Sequence, residues 1–289
     1  MAEKIFEKDV RDAFFDRIYE LASKDENLVF ITADAGAFSL KRFKEDFPDR
    51  FINVGVAEQT MVLLATGLAM CGKNVFIYSI IPFITQRALE HIKVNVCSMN
   101  LPVTIVGCGA GISFGFDGPT HHGNQDIAAM KSMPDMKILS PSDAVSSMLS
   151  ADEAYKSNTP AYVRLDKGRF DQIYDEKDSI STGAKNIISS NEYNIISTGF
   201  MTPRAVKVSK MLSDAGYNVG VTDITTIKPL NKEVLCDVIT RSKSVFVIEE
   251  HSVVGGLASS VSDFITDNNL SVLFHRIGLP DKQIFEYGD

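Results

Sequence analysis

Two stretches of this sequence hold residues whose types and spacing could do chemistry. In Asn53-Val-Gly-Val-Ala-Glu-Gln-Thr60, Glu58 follows a short apolar run and a glycine turn, and it opens a helix of apolar and small residues. The helix dipole favours a carboxylate in a first turn. A carboxylate at a strand–helix junction of a parallel sheet also lies where such sheets bind ligands. The pattern alone leaves both roles open. The second stretch, Gly107-Cys-Gly-Ala-Gly-Ile-Ser-Phe-Gly-Phe-Asp-Gly-Pro-Thr-His-His-Gly123, has five glycines before Pro119 and cannot form a regular strand or helix. It ends in Asp117, Thr120, His121 and His122, all able to exchange hydrogen bonds. A metal site at the paired histidines lacks a third ligand at suitable spacing. A dinucleotide-binding G-x-G-x-x-G loop would have to open directly into a helix, and this one does not. A polar loop facing a substrate fits better.

The elements around these stretches alternate. Helical spacing marks Asp9–Ser23, Glu58–Met70, Phe83–Asn95 and Ala144–Lys156. Short apolar runs at Leu28–Thr32, Phe51–Val54, Asn74–Ser79, Pro102–Gly107, Lys137–Leu139 and Ala161–Leu165 read as strands. A polar stretch from Asp171 to Glu192 holds one candidate strand, Lys185–Ile188, and otherwise reads as a connection between domains. Beyond it strands are expected at Asn194–Ser197, Asn218–Asp223, Ser244–Ile248 and Ser271–His275, and helices at Pro203–Ala215, Lys232–Thr240 and Leu257–Asp267. The expected fold is α/β with two doubly wound domains, residues 1–185 and 186–289. The first sheet should be mainly parallel, and the second smaller and mixed.

Composition narrows the function. The 289 residues are 45% apolar and 23% charged with a net charge of −8, which argues against nucleic acid or an anionic membrane as the main partner. No apolar run reaches membrane-spanning length. Residues 1–8 carry charges with no apolar core behind them, unlike a secretory signal. Cys71, Cys97, Cys108 and Cys236 lie far apart and read as reduced thiols of a cytoplasmic protein.

The run Phe47-Pro-Asp-Arg-Phe-Ile-Asn-Val-Gly-Val-Ala-Glu-Gln59, with Phe83-Ile-Thr-Gln-Arg-Ala88 and Asp117-Gly-Pro-Thr-His121, resembles the pyrimidine-binding domain of thiamine-diphosphate enzymes of the transketolase group. The motifs occur in that family's order and at its spacings. The C-terminal half, with Thr226-Ile-Lys-Pro229 and Glu249-Glu-His-Ser-Val-Val-Gly-Gly256, resembles the family's third domain. Full-length members also carry a diphosphate-binding domain with a GDG motif, and no GDG occurs here. The resemblance therefore implies the C-terminal subunit of a split transketolase. A separate N-terminal subunit would supply the GDG motif and hold most of the Mg2+ or Ca2+ contacts, expected as an α2β2 assembly.

The resemblance also implies roles. Glu58 would hydrogen-bond the aminopyrimidine of thiamine diphosphate and help activate it; a carboxylate bonded to a ring nitrogen must share or hold a proton, which suits a buried setting. Phe83 would stack on that ring, with Arg87 and Asp34 also at the cofactor. His121, catalytic with Glu58, and Asp117 would bind sugar oxygens, with His122 beside them. Arg164, assisted by Lys167, and Arg11 would hold a sugar phosphate, because a guanidinium gives phosphate a bidentate fork. The reaction implied is transfer of a two-carbon ketol unit from a ketose or its phosphate to an aldose.

The sequence departs from the family at several positions. Gly109 stands where transketolases usually carry a histidine, Leu89 and His91 replace a frequent Tyr and Gln, and His122 replaces a frequent Gln. The chain is also expected to stop short of a terminal helix. These departures point to an unusual sugar. Competing implications are a 1-deoxyxylulose-5-phosphate synthase-like activity, which decarboxylates pyruvate, a 2-oxo-acid dehydrogenase β-subunit, and a non-catalytic assembly subunit.

Overall fold

The computed structural model describes residues 7–285; the last residues of the expected early stop, 286–289, lie outside them. Helix α1 (Val10–Ala22) begins where the Asp9 carboxylate accepts the Arg11 amide at 2.9 Å. Its Phe14, Phe15 and Ile18 are buried. Strand β1 (Leu28–Thr32), helix α2 (Leu40–Asp46), strand β2 (Phe51–Asn53), helix α3 (Glu58–Met70) and strand β3 (Asn74–Ile80) follow. The first unit continues with α4 (Leu89–His91), β4 (Val103–Cys108), α5 (Asp126–Lys131), β5 (Lys137–Leu139), α6 (Ala144–Tyr155) and β6 (Ala161–Leu165). The second unit contains β7 (Ala184–Ile188), β8 (Tyr193–Ser197), α7 (Met201–Asp214), β9 (Val219–Ile224), β10 (Thr226–Lys228), α8 (Lys232–Arg241), β11 (Ser244–Ser252), α9 (Leu257–Asp267) and β12 (Leu273–Leu279).

The larger sheet has the order β10-β5-β6-β4-β3-β1-β2 and is parallel except for β10. Strands β1, β4 and β6 are buried at every position, which is why they read as mainly apolar runs, interrupted in β6 by Arg164. An aromatic layer of Phe14, Phe15, Phe30, Phe43, Phe76 and Tyr78 fills one face. Aliphatic residues, among them Met61 and Val62 of α3 and Ile77 and Ile105 of the sheet, fill the other. The smaller sheet, β12-β11-β8-β9-β7, is parallel apart from β7 against β9. This is the α/β architecture expected from the sequence, a mainly parallel sheet and a smaller mixed one.

Three details differ from the sequence pattern. Strand β10 belongs by position to the second unit but pairs antiparallel with β5 of the first, Thr226 opposite Leu139 and Lys228 opposite Ile138. Strand β12 starts two residues later than expected and runs on to Leu279. Around α4, the turns Phe83–Arg87 and Ile92–Cys97 are π-helical rather than α-helical. Buried there, besides Thr85 and Cys97, are Ile84, Ala88, Ile92 and Val96, one every fourth residue. At about 3.6 residues per turn an α-helix would rotate such a set by roughly 40° per step, and wider turns keep it on one face.

Residue 185 lies inside β7, and the polar connection before that strand is tied to both units. Asp143 Oδ2 accepts the amides of Ile173 at 2.6 Å and Tyr174 at 2.8 Å. The Tyr174 hydroxyl donates to Asp223 Oδ2 at 2.8 Å. No helix among the described residues is long and apolar enough to cross a membrane.

Candidate active site

The parallel strands of the larger sheet end along one edge, and the chemistry-bearing residues gather there. After β2, Gly55 turns the chain with φ +71° and delivers Glu58 to the first turn of α3. The Glu58 carboxylate is buried, at 1% exposure. Its Oε1 accepts from the Ser79 hydroxyl at the end of β3, at 3.2 Å, and its Oε2 accepts from Arg87 Nη1 at 2.6 Å. The same guanidinium lies over the Phe83 ring, 4.4 Å from its centroid. Phe83 in turn meets His121 edge to face at 5.0 Å. His121 Nδ1 lies 2.9 Å from the Thr120 hydroxyl, and its ring is 6.2 Å from that of Phe114. Lys167 Nζ stands 4.9 Å above the Phe114 ring. Glu58, Arg87, Phe83, His121, Phe114 and Lys167 thus form one continuous train of contacts across the ends of α3, β3, β4 and β6.

His122 turns inward. Its side chain is buried, both ring nitrogens lack a hydrogen-bond partner, and burial together with the neighbouring His121 lowers its pKa. Asp117 is exposed on the turn between Gly115 and Thr120. Asp34 sits in a left-handed conformation, φ +57°, after β1, and its amide donates to Asn53 Oδ1 at 3.0 Å. Arg11 lies at the ends of β3 and β4 on the aromatic face, beside Tyr78 and Cys108, and is not part of the train of contacts. Among the described residues no three His, Cys, Asp or Glu side chains are grouped to hold a metal ion.

Arg164 requires a correction. The sequence reading gives it to a sugar phosphate, but its side chain is 2% exposed and its Nε and Nη2 are bonded in the interior. Its Nε donates to Asp126 Oδ2 at 2.9 Å, and its Nη2 donates to the carbonyls of Gly123 at 3.0 Å and Glu250 at 2.8 Å. Lys167, three residues on and exposed, is the cation that faces open space. It lines a cleft of about 430 Å³ between the two units, together with Ser113, Phe116, Phe200, Arg204 and Glu250. Sequence reasoning missed Ser79, Phe114 and Arg204, and none of them stands in a pattern that announces its neighbours. Phe114 accounts for the unusual Gly109. A Cβ at that position, where φ is +93°, would lie 2.2 Å from the Phe114 ring.

A thiamine cofactor can be tested against these residues. Glu58 presents a buried carboxylate whose outer oxygen is held by a half-exposed arginine, Phe83 offers a ring beside it, and His122 has two unpartnered buried nitrogens. Such a set suits a flat, hydrogen-bonding aminopyrimidine.

Comparison with known proteins identifies the family. The family model for the transketolase pyrimidine binding domain matches residues 7–172, and that for the transketolase C-terminal domain matches residues 184–288. A Methanocaldococcus jannaschii protein assigned as a transketolase C-terminal section is 36% identical over 282 residues, 95% of this chain and 87% of its own length. A subunit of the apulose-4-phosphate transketolase of Phocaeicola vulgatus is 31% identical, covering 95% of this chain and 88% of the relative. The 1-deoxy-D-xylulose-5-phosphate synthase of Halothermothrix orenii is 34% identical over 93% of this chain but only 43% of its own length. Among solved structures, a split-gene transketolase described as an inactive β4 tetramer superposes with a TM-score of 0.87 at 29% identity, covering 94% of this chain and 88% of the other.

Proposed function

The chain belongs to the transketolase family, and on that premise we propose that it is the pyrimidine-binding half of a two-subunit, thiamine-diphosphate-dependent transketolase. The reaction is transfer of a two-carbon ketol unit from a ketose, or its phosphate, to an aldose. The observation that carries this reading is the unbroken train from Glu58 through Arg87, Phe83 and His121 to Lys167. When bound, thiamine diphosphate supplies the nucleophilic carbon and the electron sink for carbon–carbon cleavage. The Glu58 carboxylate, fixed by Ser79 at one oxygen and Arg87 at the other, would hold the proton shared with a pyrimidine ring nitrogen. Phe83 would stack on the pyrimidine ring, and Arg87 and Asp34 would help hold the cofactor. His121, oriented by the Thr120 hydroxyl, binds the sugar oxygens near the reacting carbon, with Asp117 and His122 beside it. Lys167 and Arg204 receive the anionic end of the substrate in the cleft between the units.

This chain supplies one wall of such a site. The partner is an N-terminal subunit with a GDG motif that anchors the diphosphate and its Mg2+, in a cytoplasmic α2β2 assembly. Exposed apolar side chains along α3 and its neighbours, Val56, Leu63, Met70, Val94 and Met99, are surface of the kind such a subunit covers. The similarity to 1-deoxy-D-xylulose-5-phosphate synthase favours a second reading in which pyruvate is the donor, and release of CO2 separates the two. Calorimetry on the purified chain tests the main one. Thiamine diphosphate with Mg2+ should bind weakly to this chain alone and tightly once the N-terminal subunit is added. Tight Mg2+-dependent binding by the single chain would overturn the two-subunit reading.

A further inference from the structure

The loop that carries His121 leaves β4 at Cys108 and reaches α5 at Asp126. Glycine stands at 109, 111, 115, 118 and 123, so the loop has little side-chain mass with which to hold one conformation. The first unit contributes backbone bonds at its neck: the amides of Gly109 and Ala110 donate to Leu165 O at 2.9 and 3.3 Å, and that of Gly111 donates to Gly123 O at 2.8 Å. Strand β11 of the second unit supplies further bonds. Glu250 Oε1 accepts the Ile112 amide at 3.0 Å, and the Ser252 amide donates to Asn124 O at 2.8 Å. Arg164 Nη2 bridges the two sides by donating to both Gly123 O and Glu250 O. The approach is close, since a Cβ on Gly111 would lie 2.2 Å from Glu250 Cγ. Below the neck, Arg164 and the Tyr162 hydroxyl share Asp126 Oδ2, at 2.9 and 2.7 Å.

We infer that the second unit sets the geometry of the His121 loop, and that Glu250 is the positioning residue through which it does so. The carboxylate fixes Ile112 at one side of the neck, while Ser252 fixes Asn124 at the other. The loop between them then has a defined span over which to place His121 against Phe83. The second unit, whose Arg204 lines the cleft beside Lys167, acts on the His121 loop through these two points. The kinetic consequence rests on the proposed role of His121; the structural one does not.

Two substitutions test the inference on the intact chain. Glu250→Gln keeps an oxygen that can accept the Ile112 amide. Glu250→Met keeps the side-chain length beside Gly111 and has no such acceptor, with Glu250→Ala as a second acceptor-free variant. Hydrogen exchange is followed on peptides covering residues 109–123, with peptides covering residues 10–32 as the control. The Met variant should exchange about tenfold faster in the loop with the control unchanged, and the Gln variant should stay close to the parent. In the reconstituted complex the Met variant should lose kcat/KM about tenfold at unchanged cofactor affinity, and Gln should restore it. Unchanged loop exchange in both acceptor-free variants, or equal acceleration in the control, would overturn the inference. If the loop loosens as expected but the parent complex shows no ketol transfer, the positioning stands and the proposed function falls.

Discussion

Replacing Arg164 with methionine removes a cation from the joint between the two units and keeps most of the side-chain length. In the parent the guanidinium donates to Asp126 Oδ2, Gly123 O and Glu250 O, all within 3.0 Å, at 2% exposure. Its loss leaves Asp126, which is fully buried, with the Tyr162 hydroxyl as the remaining donor to Oδ2. Deleting one member of a buried ion pair costs about 3–5 kcal/mol, because the other charge is left in a poor solvent. At about 2.1 cal/mol/K of unfolding entropy per residue, a loss of about 4 kcal/mol corresponds to a fall in Tm of roughly 7 °C for a chain of 289 residues. Asp126→Asn in the same chain removes the stranded charge, so the double variant should recover at least about 1.5 kcal/mol relative to additivity. The chain has eight tyrosines and no tryptophan, so unfolding is best followed by far-ultraviolet circular dichroism against urea, with each single variant and the double variant compared. In the reconstituted complex, Arg164→Met should lower activity on phosphorylated and free sugars in the same proportion. A stability loss below about 1 kcal/mol, joined to a loss of affinity confined to phosphorylated sugars, would refute the interior role and return this arginine to the substrate.

Glu58→Gln should leave assembly with the partner intact and reduce turnover at least about 10²-fold, measured under steady state; near-normal rates would remove Glu58 from the mechanism. Lys167→Ala and Arg204→Ala should each lower kcat/KM about 10–150-fold for a sugar with a charged terminus and leave neutral sugars almost unaffected, whereas equal losses on both would exclude an anion subsite. Burial, opposed by Arg164, pushes the Asp166 carboxyl up to about 7. A raised folded-state value means the native chain keeps this proton longer than the unfolded chain. That contribution to stability is full below about pH 4 and is lost as the pH rises to about 7, with a ceiling of roughly 4 kcal/mol. Urea midpoints should therefore fall between pH 5 and 7, Asp166→Asn should flatten the fall, and an unchanged slope in that variant would assign it to other groups.

Much of this fold is written locally. Strands buried on both faces are predominantly apolar, so Leu28–Thr32 and, apart from Arg164, Ala161–Leu165 stand out, and a helix headed by Glu58 needs only its own residues to be recognised. The same holds for the fourfold spacing of Ile84, Ala88, Ile92 and Val96, which already differs from an α-helical period although the stretch reads as an ordinary helix. Arg164 shows where local reading fails. Its partners lie at Asp126, Gly123 and Glu250, 38 and 41 residues before it and 86 after it in the chain. A charged residue inside an apolar strand looks like a ligand-binding residue until those partners are brought in by the fold. Ser79 is a small residue at a strand end, and only the position of Glu58 gives it a role. Strand β10 is three residues long, and nothing in Thr226-Ile-Lys228 names the distant edge it completes.

That three-residue strand limits how the chain can be recombined. The matched family segments end at residue 172 and resume at residue 184, an inviting place to exchange halves between relatives. A cut there separates β5 from the neighbour that closes its edge, leaving Lys137–Leu139 as the open side of a parallel sheet, and open edges invite pairing with other chains. It also takes away the Lys228 ammonium, which donates to the carbonyls of Lys131, the last residue of α5, and Met133 just beyond it. A chimera built at this seam would therefore inherit a foreign border strand, and it should be soluble only when the donor half offers residues at 226 and 228 that can lie against Leu139 and Ile138. The heritable unit is longer than the homologous one: a graft that respects the sheet carries residues 226–228 with the first half.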